Sequence, residues 1–184
     1  ADSLIPGLVI PGVSEAVDSL PGIAVPDEVV DYSLIFSYPT WLIEHSALPI
    51  NYSRGCQFTC AFCSNPGLFG SFRHVRTEAL LDQLGHIDEL MTRRGGLWSR
   101  AFRFNDPTIN GDFEAFRQLL LGLSSLDKRF RLSSELVLGR TYIRDQLKAC
   151  RDAGFDHFMT GIESGSEKIR RMMRKPTPLE EIRS

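Results

Sequence analysis

The chain has 184 residues, with 21 basic and 23 acidic side chains and a formal net charge of −2 at pH 7. This balance gives no general field that would attract nucleic acid or an anionic membrane, and a hydrophobic content of 42% is ordinary for a soluble globular protein. No apolar run approaches the ~18 residues that a membrane-spanning helix needs, and the amino terminus lacks the basic and apolar parts of a signal peptide.

Residues 1–48 are predicted to be a proline-rich linker or lead-in. Prolines interrupt short apolar pieces of this segment at Pro6, Pro11, Pro21, Pro26 and Pro39. No helical or strand period persists between them, which favours extended chain. Residues 49–184 carry a regular pattern and are predicted to form the amino-terminal part of a core domain.

Strand and helix patterns alternate about four times after this lead-in. Short strands are predicted at 49–53, 100–106, 130–138 and 155–163. Helical spacing of apolar residues is found at 77–94, 112–129, 141–154 and 166–173. Such alternation predicts an α/β fold made of βα units, a partial (β/α) barrel truncated after about four units. Four units leave exposed strand edges, so we expect a fragment of a longer protein or a chain that needs a partner.

The basic run RRMMRK, residues 170–175, is predicted to form a solvated face of the final helix. Its arginines are predicted to point to water, while Ile169, Met172 and Met173 turn inward. This basic run is not interpreted as a nucleic-acid patch.

Polar residues occur where each predicted strand ends. Cys56 follows the first strand, Asn105 and Asp106 end the second, Glu135 lies late in the third, and Glu163 ends the fourth. Because functional loops of βα folds lie at the carboxyl ends of the strands, we expect these residues to share one site.

The stretch RGCQFTCAFCSNPG holds three of the four cysteines within eight positions, at Cys56, Cys60 and Cys63. Without an export signal we expect a cytoplasmic protein, in which a disulfide is disfavoured. A structural zinc ion wants four ligands, and His74 could supply the fourth. An iron–sulfur cluster held by three thiolates, with one iron left open, is the remaining interpretation.

Cys150 could also supply a fourth ligand. It falls in phase with Ile143 and Leu147 on the apolar side of a predicted helix. We therefore expect a buried and inert thiol at this position.

The stretch CQFTCAFC resembles the Cys-x3-Cys-x2-Cys signature of the radical S-adenosylmethionine (SAM) enzymes, including an aromatic residue, Phe62, before the last cysteine. The stretch GIESGSEKIRRMMRK, residues 161–175, resembles the fourth-strand segment of the subfamily that joins a cobalamin-binding domain to a radical SAM domain. The resemblance covers about residues 49–184.

The resemblance implies a set of cofactor contacts. Cys56, Cys60 and Cys63 would hold a [4Fe-4S] cluster, and SAM would chelate the fourth iron. Phe62 would lie near the adenine. The remaining implied SAM contacts are Asn105, Asp106, Glu135, Glu163 and Ser164. Asn105 and Asp106 depart from the Gly-Gly-Glu version of the second-strand motif, and Asp106 could instead start a turn, while Ser164 could be a helix cap.

The resemblance also implies an activity. A reduced cluster would cleave SAM to a 5′-deoxyadenosyl radical, most commonly in methyl transfer, with flavodoxin or ferredoxin as the electron donor. The cobalamin-binding Asp-x-His-x-x-Gly box is absent from these 184 residues, so any cobalamin would come from an upstream domain. Two other functions remain open: a truncated non-catalytic iron–sulfur or SAM-binding module, and a zinc-stabilised structural domain. The substrate is not indicated by the sequence.

Overall fold

The computed structural model describes residues 47–95, 98–139 and 144–183. The predicted linker, 1–48, lies outside these residues except for its last two positions, and so does the beginning of the third predicted helix. The described residues contain a parallel sheet covered by helices, which confirms the predicted α/β class.

The main sheet has four strands, and every neighbouring pair is parallel. These strands are β1 (Leu48–Ile50), β4 (Ala101–Phe104), β5 (Arg131–Glu135) and β6 (Phe155–Met159). A separate antiparallel pair consists of β2 (Ser53–Arg54) and β3 (Arg73–His74). The order of the main strands follows the chain, as expected for successive βα units, and the described strands form an open sheet.

Six helices lie within the described residues. They are α1 (Asn65–Phe69), α2 (Thr77–Arg94), α3 (Phe113–Ser124), α4 (Arg144–Asp152), α5 (Glu167–Met172) and α6 (Leu179–Arg183). None of the described helices is long and apolar enough to cross a membrane.

The core lies between the helices and one face of the sheet. On β4, Phe102 and Phe104 are fully buried while Arg103 between them is exposed, which is the period of two that a strand imposes. On α2, apolar residues at helical spacing meet this face, and Leu80 and Leu84 are fully buried. Each such side chain contributes about 1.5–3 kcal/mol by leaving water.

A buried carboxylate ties the ends of β4 and β5 that lie away from the cysteines. Asp88 on α2 is fully buried and accepts a hydrogen bond from Trp98 at 3.0 Å. Its oxygens also lie 2.7 Å from the Arg100 guanidinium and 2.8 Å from the Lys128 ammonium. Burial opposes ionisation of Asp88, but the hydrogen bonds from Lys128, Arg100 and Trp98 outweigh it and lower the pKa of the carboxyl group.

Helix α5 differs from the prediction. Arg170 is buried, whereas Ile169 and Met172 are 43% and 72% exposed. The prediction that both apolar side chains turn inward is therefore wrong. The Arg170 guanidinium donates to two backbone carbonyls, those of Ile162 and Thr177. The helix therefore buries a charged side chain and exposes two apolar ones, which is the opposite of the usual amphipathic arrangement.

Cys150 on α4 is buried, as expected. Burial raises the pKa of its thiol to about 11, so the thiolate is rare at neutral pH. Leu147, placed on the same apolar side from the sequence, is instead 48% exposed.

Candidate functional site

A cleft of ≈ 360 Å³ lies at the carboxyl ends of β5 and β6. Four segments form its walls: the cysteine loop, the residues after β5, the residues after β6, and the turn that follows α5. Its lining includes all three clustered cysteines, together with Phe62, Glu135, Glu163, Arg170 and Lys175. Strand ends and loops that are distant in sequence thus meet in one concave place, as the βα pattern predicts.

The three clustered cysteines are free thiols of intermediate exposure that line this cleft. The amide of Cys63 donates to the carbonyl of Cys60 at 3.0 Å, which closes a tight turn between the second and third thiols. Burial raises the pKa of the Cys56 thiol, and the neighbouring Cys60 and Cys63 raise it further, while Lys175 acts in the opposite direction. Thiols bind metal centres as thiolates, so binding of a metal centre here would displace the thiol protons.

The described residues contain no group of three His, Cys, Asp or Glu side chains placed to hold a single metal ion. A mononuclear zinc site needs its donors around one point, with Zn–S distances of about 2.3 Å. His74, the zinc ligand considered from the sequence, is exposed and stacks on the Tyr52 ring at 5.3 Å, outside the residues that line the cleft.

The base of the cysteine loop is fixed by a close backbone approach. Gly55 has φ +77°, and a Cβ atom there would meet the carbonyl oxygen of Ser71 at 2.4 Å. The loop is also tied to α5, because the amide of Ala61 donates to the carbonyl of Met173 at 2.9 Å. These contacts anchor the loop backbone just before Cys56 and just after Cys60.

Asp106 lies under the loop and does not line the cleft. Its carboxylate is 1% exposed and accepts hydrogen bonds from the amides of Tyr52 and Ser53 and from the Ser53 hydroxyl. Burial raises the pKa of Asp106 to about 6, although the hydrogen bonds from Ser53 and Tyr52 oppose the rise. Asp106 therefore joins the end of β4 to the chain that enters the cysteine loop, and its contact with SAM stays a prediction.

Asn105 directly follows β4 and stays a predicted SAM contact. It is exposed and lies outside the lining of the cleft. Its backbone amide donates to the Ile50 carbonyl at 2.9 Å, and its carbonyl accepts from the Asn51 side chain at 3.3 Å. These bonds extend the pairing of β1 with β4.

Phe62 and Glu163 line the cleft, and Lys175 brings them together. The Phe62 ring is 55% exposed, and the Lys175 ammonium lies 5.7 Å from its centroid. The same ammonium lies 3.6 Å from a carboxylate oxygen of Glu163. Glu163 has φ +64°, a left-handed backbone that non-glycine residues adopt at a cost.

Glu135 ends β5 and also lines the cleft. Its carboxylate lies 3.7 Å from the Arg103 guanidinium, and both side chains are close to half exposed. This pair is weak because water screens it, so the Glu135 carboxylate remains available to a ligand.

Ser164 is used within its own turn. Its hydroxyl accepts from the Ser166 amide at 3.1 Å, and the Ser166 hydroxyl in turn accepts from the Ile169 amide at 3.5 Å to cap α5. The helix cap noted from the sequence is therefore Ser166, and Ser164 stabilises the turn before it. Ser164 is outside the lining of the cleft.

Two cleft residues were missed by the sequence prediction, Arg170 and Lys175. Both lie in a basic run that was assigned to a solvated helix face. Lys175 follows α5 and is only 12% exposed, and Arg170 is 2% exposed. The available signal was their position directly after the Glu163 segment, where the chain must return across the strand ends.

Comparison with known proteins supports the resemblance. The sequence profile of the Radical SAM superfamily matches residues 50–183. Hopanoid C-2 methylase of Rhodopseudomonas palustris is 30% identical over 131 residues, which cover 68% of this chain and 24% of that protein. Bacteriochlorophyllide d C-12(1)-methyltransferase of Chlorobaculum tepidum is 24% identical over 146 residues, which cover 79% and 31%. The chain thus spans about a quarter to a third of the length of these curated relatives.

Solved structures show the same fold. The cobalamin-dependent SAM radical enzyme OxsB, with aqua-cobalamin and SAM bound, matches with a TM-score of 0.63 at 22% identity, over 74% of this chain and 21% of that chain. The radical SAM methyltransferase TsrM from Kitasatospora setae, with tryptophan and a SAM analogue bound, matches with a TM-score of 0.62 at 13% identity, over 77% and 28%.

The predicted likeness to cobalamin-linked radical SAM proteins is confirmed by the kinds of protein that match. The superfamily profile spans most of the described residues and includes the cysteine loop and the Glu163 segment. The chain therefore belongs to the radical SAM superfamily.

Proposed function

We propose that this chain forms part of a radical SAM enzyme of the methyltransferase type, which binds a [4Fe-4S] cluster and SAM in the cleft. The observation that carries the proposal is the convergence of three free thiols with Phe62, Glu163 and Lys175 on one cavity. These residues come from the cysteine loop and from the segments on both sides of α5, which the superfamily profile spans.

The residues present fit such a cluster. Cys56, Cys60 and Cys63 are free, partly exposed, and lie on one loop whose backbone is held from below by Asp106. A cluster ligated by three thiolates keeps one iron open for a further ligand. When bound, it supplies the electron that cleaves SAM to methionine and a 5′-deoxyadenosyl radical.

The protein side chains would bind and orient SAM. Phe62 offers an exposed aromatic face to the adenine, and the carboxylates of Glu135 and Glu163 can accept hydrogen bonds from hydroxyl or amino groups. Lys175 adds a cation beside Glu163. Asn105, Asp106 and Ser164 stay proposed as further SAM contacts, although their observed hydrogen bonds lie within the fold.

Methyl transfer and use of cobalamin are proposed from the relatives. Two of these are named as a methylase and a methyltransferase, and one solved structure contains aqua-cobalamin. We propose that a cobalamin would be supplied by another domain and the electron by a flavodoxin or ferredoxin. The cytoplasm, where such donors occur, is the proposed location.

Anaerobic reconstitution with iron and sulfide tests the cluster. We expect about four irons and four sulfides per chain, with loss of both in Cys60→Ala and normal loading in Cys150→Ala, the matched control. Stoichiometric zinc without sulfide would support the zinc-stabilised domain and overturn the cluster.

A second assay separates an enzyme from a binding module. Cluster-loaded protein is incubated with SAM and dithionite, and 5′-deoxyadenosine is measured. Its formation supports the enzyme. Cluster-loaded protein that binds SAM and gives no 5′-deoxyadenosine would instead support the non-catalytic module.

A further inference from the structure

Arg170 is the bulkiest of the fully buried side chains in the described part of the protein. Its guanidinium donates through Nη1 to the carbonyl of Ile162 and through Nη2 to the carbonyl of Thr177. Nε has no hydrogen-bond partner. Burying a charged guanidinium carries a desolvation cost, which the two hydrogen bonds to carbonyls offset only in part.

The two acceptors lie on different segments of the cleft wall. Ile162 belongs to the turn after β6, and Thr177 follows α5 by several residues. A guanidinium can donate to both carbonyls at once because its N–H groups form a rigid planar fork. The Lys175 amide also donates to the Arg170 carbonyl at 3.0 Å, which fixes the backbone beside the second acceptor.

The Ile162 carbonyl has a second donor. It accepts from the Ser164 amide at 2.8 Å, across Glu163, which makes a three-residue turn with Glu163 at its centre and φ +64°. Such backbone carries a steric cost and persists only where the surroundings enforce it. Arg170 donates to the same carbonyl from inside the fold.

The consequence appears at the cleft. The carbonyls of Ile162 and Thr177 both accept from Arg170. Beside them, the Glu163 carboxylate lies 3.6 Å from the Lys175 ammonium on the cleft wall. Lys175 also contacts the Phe62 ring, and this contact connects the wall to the cysteine loop.

We infer that Arg170 is a positioning residue: it clamps the Glu163 turn to the Lys175–Thr177 segment and thereby sets the wall of the cleft for its ligand. The identity of that ligand as SAM rests on the proposed function. The clamp itself is a property of the polypeptide and can be tested without any cofactor.

Amide hydrogen exchange of the unloaded full chain tests the clamp. Arg170→Met removes both hydrogen bonds at similar volume, and Arg171→Met is the matched control, since Arg171 is 79% exposed on the same helix. We expect at least tenfold faster exchange in peptides covering 160–166 and 176–180 for Arg170→Met, and no change for Arg171→Met. Equal exchange in wild type and Arg170→Met overturns the inference.

If Arg170→Met does not fold, Arg170→Lys decides the same question. An ammonium keeps the charge but cannot span both carbonyls, so faster exchange is expected in one of the two segments. Unchanged exchange in both segments of Arg170→Lys overturns the inference.

SAM affinity of cluster-loaded protein tests the consequence. We expect Arg170→Met and Glu163→Gln each to raise the Kd for SAM about tenfold. The double variant should show the same tenfold rise and no more, because Arg170 acts through Glu163. Full additivity, about a hundredfold loss, would overturn the link to Glu163. If wild type loads no iron, the proposed function fails, and the exchange experiment still decides the clamp.

Discussion

The Ser53 hydroxyl donates a hydrogen bond of 2.6 Å to the buried carboxylate of Asp106, across 53 residues of sequence. Ser53 lies three residues before the first clustered cysteine, and Asp106 follows β4. The contact therefore links the start of the cysteine loop to the sheet, and its strength depends on the protonation state of one carboxyl group.

Stability should depend on pH through Asp106. Burial raises its pKa from the ordinary 3.8 to about 6, so between these values the folded state binds more protons than the unfolded state. Its contribution to the free energy of unfolding is therefore largest below pH 4, falls as pH rises to about 6, and is constant above. A difference of about two between folded and unfolded pKa corresponds to roughly 3 kcal/mol.

Asp106→Asn should remove this component. Urea unfolding of both proteins between pH 4 and 7.5 measures this component. The gap, defined as the unfolding free energy of the wild type minus that of the variant, should fall as pH rises from 4 to about 6. A gap that stays constant over this range would contradict the assigned pKa.

Asp88→Asn should destabilise the fold at neutral pH. The variant keeps the shape but leaves Arg100 and Lys128 without their shared carboxylate, and we expect a loss of about 2 kcal/mol because both cations are about half exposed. The lowered pKa means that the wild-type contribution is present above pH 4 and is lost as pH falls below it.

The neighbouring Glu89 provides the control for Asp88. Its carboxylate pairs with Arg93 at 3.1 Å, with both side chains more than half exposed. Glu89→Gln should change the unfolding free energy by less than about 0.5 kcal/mol in the same urea titration. Equal losses in the two variants would show that burial of Asp88 does not matter.

Gly55→Ala should damage the cysteine loop. An alanine there would need φ near +77° and would place its Cβ atom 2.4 Å from the Ser71 carbonyl oxygen, so backbone must move. We expect a loss of about 2 kcal/mol in stability together with lower iron and sulfide loading. Gly67→Ala, whose Cβ atom would have no neighbour within 4 Å, is the control and should load normally.

Glu163→Gly should separate stability from ligand binding. Glycine adopts positive φ without a steric cost, so the variant should be more stable than wild type by about 1 kcal/mol in urea unfolding. Glu163→Gln retains the strained backbone and should stay within about 0.5 kcal/mol of wild type. Both should bind SAM more weakly after cluster loading. Unimpaired SAM binding by both variants would exclude Glu163 as a ligand contact.

Much of the fold could be predicted from local pattern. The strand predicted at 100–106 and the helix predicted at 77–94 were both found, as β4 and α2. The buried Phe102 and Phe104 follow the period of a strand, and the buried Leu80 and Leu84 follow that of a helix. These patterns are local, since each depends only on which side of one element faces the core.

The errors fall where local pattern and tertiary environment disagree. Nothing near Arg170 in sequence indicates a buried guanidinium, because its acceptors are the carbonyls of two turns that the fold brings under α5. The hydrogen bonds of Asp106 could not be predicted from local pattern either, because its partners, Tyr52 and Ser53, lie more than 50 residues away.

The sequence by itself determined the family, the α/β class and the three clustered cysteines. Cysteine spacing and apolar periodicity are local patterns that can be recognised within a few neighbouring residues. Only the tertiary structure decided which polar side chains support the cysteine loop and which line the cleft. Desolvation and hydrogen bonding depend on neighbours distant along the chain, and these separate Asp106, buried beneath the loop, from Glu163 and Lys175, which face the cleft.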